Sequence, residues 1–508
     1  MVNSFTVRGL CAVFAILAAI QPAIAGKNGG KQELVLVERE IASSPDPSYY
    51  PGSNHYIKNG AAEPLFKADP EGQIQPCLAR GSKQIDEYTW EIYLRPEGKF
   101  WSGAAIDAEA VIGSLERSRE TNTRALPFLK DLKFKALDRW TLQVTTTRTN
   151  QFVPLNLSYM ELCIFNSKAA HNSVETMDMS GMYKVVAFEP KQRMILEINP
   201  NYYGKKPTIP RIIHEEISDP ETRTLAIMSG RADMVFHISN ESVAQLKNNK
   251  DVVLNITAAA STQTIYLNLQ NPILKDIRVR QALAWGLNRQ EISLLGTEGL
   301  GLPLTTWLSS NPRYRDHKSD VYTHFDPQKS GKLLDEAGWK MGKDGFRHKD
   351  GQDLSITLMT WGQDKTLGEA IQHQWTKLGV KARVQHGDYS LIQAARDTGE
   401  WDAFIEAWQS FGDEYSLLCG QFAPTGGANY GKYNDMRTNS LLEKLRVASS
   451  EKQRRELAVE INAHVAKQCP AIYVCSRIET TATRRNLKGY VKHFRQFENG
   501  INANLYFE

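Results

Sequence analysis

The 508-residue chain lacks most of what would announce an enzyme. There is no G-x-S-x-G nucleophile elbow, no H-E-x-x-H, no G-x-x-x-x-G-K-[ST] phosphate loop and no G-x-G-x-x-G opening a helix. None of its 11 histidines stands three or four residues from another, and no C-x-x-C pair occurs, so no local metal site is written in the sequence. Adjacent carboxylates such as Asp413 and Glu414 do not separate into acid and base roles by spacing. No basic block stands out against a formal charge of +4, which argues against nucleic acid as a partner. No repeat or low-complexity tract is present, and no apolar run reaches the roughly 18 to 20 residues of a membrane span. A hydrolase is left as an outside alternative, and no cofactor is expected.

What is there begins with a lone Arg8, the apolar run "CAVFAILAAI" and the small-residue ending "PAIA", the pattern of a cleaved secretory signal. Residues 1–25 are expected to be removed, with the mature chain starting near Gly26 and working in the periplasm as a soluble protein. Cys11 lies inside the apolar run and not at the cleavage point, so a lipid anchor is not indicated. The remaining length, about 480 residues, exceeds one hydrophobic core and predicts two or three domains. Five cysteines are left, Cys77, Cys163, Cys419, Cys469 and Cys475, and an odd count leaves at least one thiol.

Strand and helix patterns intermingle. "KQELVLVERE" and "YTWEIYLRP" alternate at period two, whereas "DAEAVIGSLERSRE" and "SLLEKLRVASSEKQRRELAVEINAHVAKQ" carry helical spacing, which predicts a mixed α/β fold. Asp107 is placed to cap the first of these helices, and Gly338 ends a helix over "SGKLLDEAGW". The most loop-like stretch is "GQFAPTGGANYGKYND", Gly420 to Asp435, whose composition suits a contact surface. In "EINPNYYGKKPTIPRI", Tyr202 and Tyr203 beside Lys205 and Lys206 admit two readings, a stacking platform or a scaffold corner.

Several segments, in order, resemble the large extracytoplasmic solute-binding proteins of ABC importers, the peptide/nickel-binding family 5. They are "YTWEIYLRPEGKFWSGAAIDAEAVIGSLER", "NPNYYGKKPTIPRIIHEEISDPETRTLAIMSGRADM", "IYLNLQNPILKDIRVRQALAWGLNRQEI" and "LLDEAGW". The resemblance covers nearly the whole mature chain and favours the scaffold corner for the two tyrosines. It implies a two-lobed periplasmic-binding-protein fold (class II, peptide/nickel type), with a hinge and a ligand cleft between lobes that closes and expels water. The first lobe is expected over 26–262 and 478–508 and the second over 263–477, with crossings near "AAASTQTIYLNL" and "AIYVCSRIE". If a disulfide forms, Cys419 with Cys469 is the expected pair, both lying in the second lobe.

The resemblance further implies a non-enzymatic binding protein, expected as a monomer, that delivers a small ligand to permease subunits at the inner membrane. A short peptide is the first reading for the ligand. A nickel or other metal–organic chelate is the alternative, and a sensory receptor using the same fold is a further one. In peptide-binding members an Asp three positions after the residue matching Trp408 holds the peptide amino terminus. Phe411 stands there, and an unpaired ammonium would lose a charge-assisted hydrogen bond of roughly 1.5–3 kcal/mol unless Asp413 or Glu414 substitutes. In nickel-binding members two arginines meet the chelator. Arg124 matches one, Tyr159 replaces the other, and a bare nickel ion would lack soft ligands. The expected ligand contacts are Tyr49, Tyr50, Arg124, Trp408, Asp413, Tyr415, Asn429 and Tyr430. Four of them have a plainer alternative: lobe core for Trp408, a solvated helix end for Arg124, loop packing for Tyr49 and Tyr50.

Overall fold

The computed structural model describes residues 33–49, 52–147, 152–314, 321–362, 364–448, 450–495, 498 and 500–508. The expected signal segment and Tyr50 lie outside the described residues. Ten strands form the main sheet: β1 Glu33–Glu38, β2 Tyr183–Glu189, β3 Arg193–Ile198, β4 Arg211–Glu216, β5 Met234–Phe236, β6 Val252–Leu267, β7 Ser355–Trp361, β8 Lys381–Gly387, β9 Ala403–Gln409 and β10 Ala471–Arg484. Their order is β8-β7-β9-β6-β10-β5-β1-β4-β3-β2. The helices that matter below are α1 Gly52–Lys58, α2 Ala108–Thr121, α3 Tyr389–Thr398, α4 Glu414–Phe422 and α5 Glu451–Gln468.

Hydrophobic burial divides this one sheet between two lobes. Leu34, Leu36, Met194, Leu196, Ile212 and Met234 form a core with Leu487, Ile501 and Leu505 of the C-terminal segment. A second first-lobe core joins Ile92, Leu94, Leu142 and Val144 of a four-stranded sheet to Val111 and Leu115 of α2. The other lobe buries Ile265, Leu267, Leu283, Ile356, Leu358, Trp375, Ile405 and Val474 around one face of β6, β7 and β9. Side chains alternate across a strand, so each strand commits one face to such a core and leaves the other for a second layer.

Only β6 and β10 run through both lobes. Leu254 and Ile256 of β6 pack against the first lobe, whereas Ile265 and Leu267 are second-lobe core. Between them the antiparallel register slips, from Ala258 opposite Ile478 to Thr262 opposite Ser476. A bulge bends and twists a strand pair locally, which suits a two-strand crossing.

Local expectations met the structure unevenly. Asp107 caps α2, accepting from Ala110 N at 3.1 Å. Gly338 follows the helix Pro327–Glu336 at φ 90°. The long helical run from Ser440 breaks into Met436–Val447 and α5, because Ser450 accepts from Gln453 N and starts a new helix. The loop expected from Gly420 begins only after Phe422, since α4 takes in the first three residues. The pairing of Cys419 with Cys469 is not made: all five cysteines are thiols, and Cys469 ends α5 with its Sγ toward Arg280 O. Tyr202 and Tyr203 close a scaffold corner. Their hydroxyls donate to Glu63 Oε1 at 2.8 Å and Oε2 at 2.9 Å, and burial raises the Glu63 carboxyl above its ordinary range.

Candidate functional site

The face of the second-lobe sheet opposite the large core carries a second, smaller aromatic layer. Period two puts Phe404, Glu406 and Trp408 of β9 on that face. Tyr266 stacks on Phe404 at 5.1 Å and meets Tyr430 edge-on at 5.2 Å, while Trp361 packs against Tyr389 of α3 at 4.9 Å. Among these rings sits one ion pair. Tyr389 Oη donates to Glu406 Oε1 at 2.9 Å, and Arg396 Nη1 lies 3.5 Å from Glu406 Oε2. The Arg396 guanidinium lies over the Tyr430 ring at 4.3 Å, a cation–π contact that holds its plane. Burial raises the Glu406 carboxyl, with Tyr389, Arg396, Trp408 and Arg124 opposing. Burial also lifts the Tyr430 hydroxyl to about 12.

Nearer the crossing, Asp364 is buried and accepts from Gln263 Nε2 at 2.8 Å. Burial pushes its carboxyl up to about 6, against the pull of Arg477 on β10.

The first lobe answers with Glu161, in a single turn over Met160–Leu162. Its Oε2 is buried and has no hydrogen-bond partner among the described residues. Burial raises its carboxyl, opposed by its own backbone N–H, Arg495, Arg124 and Asn54. Arg124 is exposed beyond the end of α2, and its backbone N–H donates to Asn122 Oδ1 at 3.0 Å. Its charge opposes the upward shift of the Glu161 carboxyl in one lobe and of the Glu406 carboxyl in the other.

The structure brings Trp408 and Tyr430 into one aromatic cluster. Trp408 is half-buried and leans on two second-lobe clusters, one of them with Tyr430. The other sequence candidates are held differently. Asp413 is the N-cap of α4, accepting from Tyr415 N at 3.1 Å and Ser416 Oγ at 2.6 Å. Glu414 is tied to Tyr314 Oη at 2.6 Å. Tyr415 packs on the helical core of the second lobe. The Asn429 amide is spent on its own loop, donating to Ala423 O and Tyr433 O and accepting from Tyr433 N. Tyr49 is 51% exposed. Glu161, Asp364, Arg396, Glu406 and Arg495 were not anticipated. For Glu406 a signal existed: in "DAFIEAWQ" a carboxylate shares a strand face with Phe404 and Trp408.

Two lobes joined by a pair of long antiparallel strands, with charged and aromatic side chains gathered from both, define an extracytoplasmic solute-binding protein with an interlobe cleft. The family model described as bacterial extracellular solute-binding proteins, family 5, matches residues 73–429. The chain belongs to that family, whose members are binding proteins of transporters. It is 25% identical over 405 residues to the nickel-binding periplasmic protein of Escherichia coli K12, covering 75% of this chain and 76% of that one. It is 23% identical over 473 residues to the oligopeptide-binding protein AppA of Bacillus subtilis 168, covering 86% and 84%. Among solved structures, NikA from Brucella suis in complex with Fe(III)-EDTA superposes with a TM-score of 0.85 at 20% identity, covering 94% of this chain and 100% of that one. No helix among the described residues is long and apolar enough to cross a membrane.

Proposed function

We propose that the chain is the ligand-capturing component of an ABC importer, exported through the cleavable segment 1–25, acting as a monomer in the periplasm and presenting its loaded form to the permease. The first lobe takes in 26–262 and 478–508 and the second 263–477, a division that the register slip between Ala258 and Thr262 supports. The observation that carries this reading is the strand pair β6 and β10, with the two ends of β6 packing in separate cores and its register against β10 slipping between Ala258 and Thr262.

The cleft suits a small ligand bearing both charges. In a short peptide, the carboxylate would meet Arg124 and the ammonium Glu161 or Glu406, with Trp408 and Tyr430 as walls. The Phe411 position cannot serve the ammonium, since Phe411 is apolar and only 2% exposed. A metal–organic chelate is the second reading, favoured by the likeness to the Brucella suis protein holding Fe(III)-EDTA. Among the described residues no group of three His, Cys, Asp or Glu side chains could hold a metal ion, so the chelator would bring the donors. Native mass spectrometry of protein purified without refolding, followed by calorimetry with dipeptides and with nickel and iron chelates, tests both readings. A carried-over peptide or chelate mass is expected, and failure of every probe to bind would overturn the proposal.

A further inference from the structure

We propose that Tyr159 and Arg495 of the first lobe and Phe411–Gly412 of the second form a clasp, a direct lobe-to-lobe contact that favours the closed form whatever the ligand. The proposal rests on the two-lobed reading above but not on the identity of the ligand.

The contact is built in layers. Tyr159 stacks on Phe128 of its own lobe at 3.8 Å and donates its hydroxyl across the gap to Phe411 O at 3.0 Å. The Arg495 guanidinium lies between the two partners, 4.9 Å from the Tyr159 ring and 4.4 Å from the Phe411 ring. Arg495 is itself held by Glu498 and by Ser158 O at 3.2 Å. The Phe411 ring packs on Phe494 at 4.7 Å and is buried with Ala68, Leu155 and Ala260. A parallel contact adds to the same flank: the Arg454 guanidinium of α5 lies 3.9 Å over the ring of Phe152. Each of these contacts joins protein to protein, and the cation–π pairs need no third molecule.

Gly412 reports on the clasp most sharply. A Cβ there would overlap Tyr159 Oη, although φ at Gly412 lies outside the left-handed region and alanine would bring no backbone strain. The atom that excludes a side chain belongs to the opposite lobe, while Leu417 of its own lobe, at 3.1 Å, is the next and softer neighbour. Gly72, at φ 84°, would place a Cβ 3.0 Å from the Phe411 ring, so the first lobe also keeps a glycine where the plug seats.

The test uses full-length mature protein freed of ligand by unfolding and refolding, with small-angle scattering as readout. G412A should enlarge the radius of gyration by wedging Tyr159 away. Y159F, which removes the donor and creates no overlap, should enlarge it too. Because Y159F also removes the atom the new methyl would strike, the G412A/Y159F pair should match Y159F alone, a non-additive cycle between residues of different lobes. If G412A does not fold, Y159F gives the same reading by itself. Equal radii in wild type and Y159F would overturn the proposal. So would a lowered melting temperature from G412A in both backgrounds with the radius unchanged, which would make the contact hinge packing only. Loss of ligand binding with the radii behaving as stated would overturn the transport reading and leave the clasp.

Discussion

At the scale of residues, the cleft is organised by guanidinium groups that differ in how they are held. Arg396 is clamped by a carboxylate and a ring, and Arg495 is wedged between two rings, whereas Arg124 is exposed beyond the end of α2. An exposed arginine is able to present its planar fork to a ligand carboxylate. Arg124→Lys should therefore weaken binding nearly as much as Arg124→Ala, since lysine keeps the charge and loses the fork. Calorimetry with the co-purified ligand measures this. Unchanged affinity in Arg124→Ala would remove the carboxylate contact.

At the scale of elements, the loop after β9 shows how one segment is read differently by sequence and by structure. "FGDEYS" offers two carboxylates beside a tryptophan-bearing strand, yet Asp413 is consumed by the start of α4. Asp413→Ala should lower stability by about 0.5–2 kcal/mol, the usual cost of losing an N-cap, while ligand affinity stays near wild type. Denaturant unfolding set beside calorimetry checks it. A large affinity loss with unchanged stability would return Asp413 to the ligand. The same element scale explains the clasp, because the chain leaving β9 is tied to the crossing in β6 through Ser410 N, which donates to Ala260 O at 2.8 Å.

At the scale of the molecule, closure and protonation are both linked to stability. A ligand that binds only the folded protein should, at a hundred times its dissociation constant, stabilise it by about 2.7 kcal/mol. Thermal unfolding with scattering should show any compaction together with that gain, and compaction without a rise in melting temperature would contradict the linkage. Four histidines held below their ordinary range set the response to acid. Burial lowers His171, His214 and His493 and holds His237 down to about 3, beside Glu38 and Lys58. Each is neutral when folded and charges when unfolded below its ordinary value near 6.5. The unfolded chain thus binds more protons, and stability should fall as pH drops below about 6.5, for His237 down to about 3, by up to ~1.4 kcal/mol per pH unit for that group. Asp364, raised to about 6, works in the opposite direction, its contribution present at low pH and lost as pH rises through 6. Between pH 7 and 5 the four histidines should outweigh it. Denaturation midpoints at pH 7.5, 6 and 5 decide, and a midpoint that rises on acidification would show the raised carboxyls in command.

Much of the architecture was legible in the chain because it is local: period-two strands, the Asp107 cap, the glycine after "LLDEA", and ordered family motifs are written in consecutive residues, and the family match bears the resemblance out. The Tyr-Tyr corner was legible by resemblance, although its partner, Glu63, lies 139 residues away. What the chain could not announce is which polar group is already spent. Asp413 and Asn429 look like ligand contacts in a sequence and turn out to satisfy backbone groups, since a buried N–H must find an acceptor and the nearest short polar side chain supplies it. Glu161 and Glu406 show the converse. Their carboxyls are raised by a burial that only the fold creates, and Tyr159 meets Phe411 across 252 positions. Local propensity is fixed over a few residues, but desolvation and long-range charge exist only once the chain has folded back on itself, so the lobes belong to the sequence and the contents of the cleft to the tertiary structure.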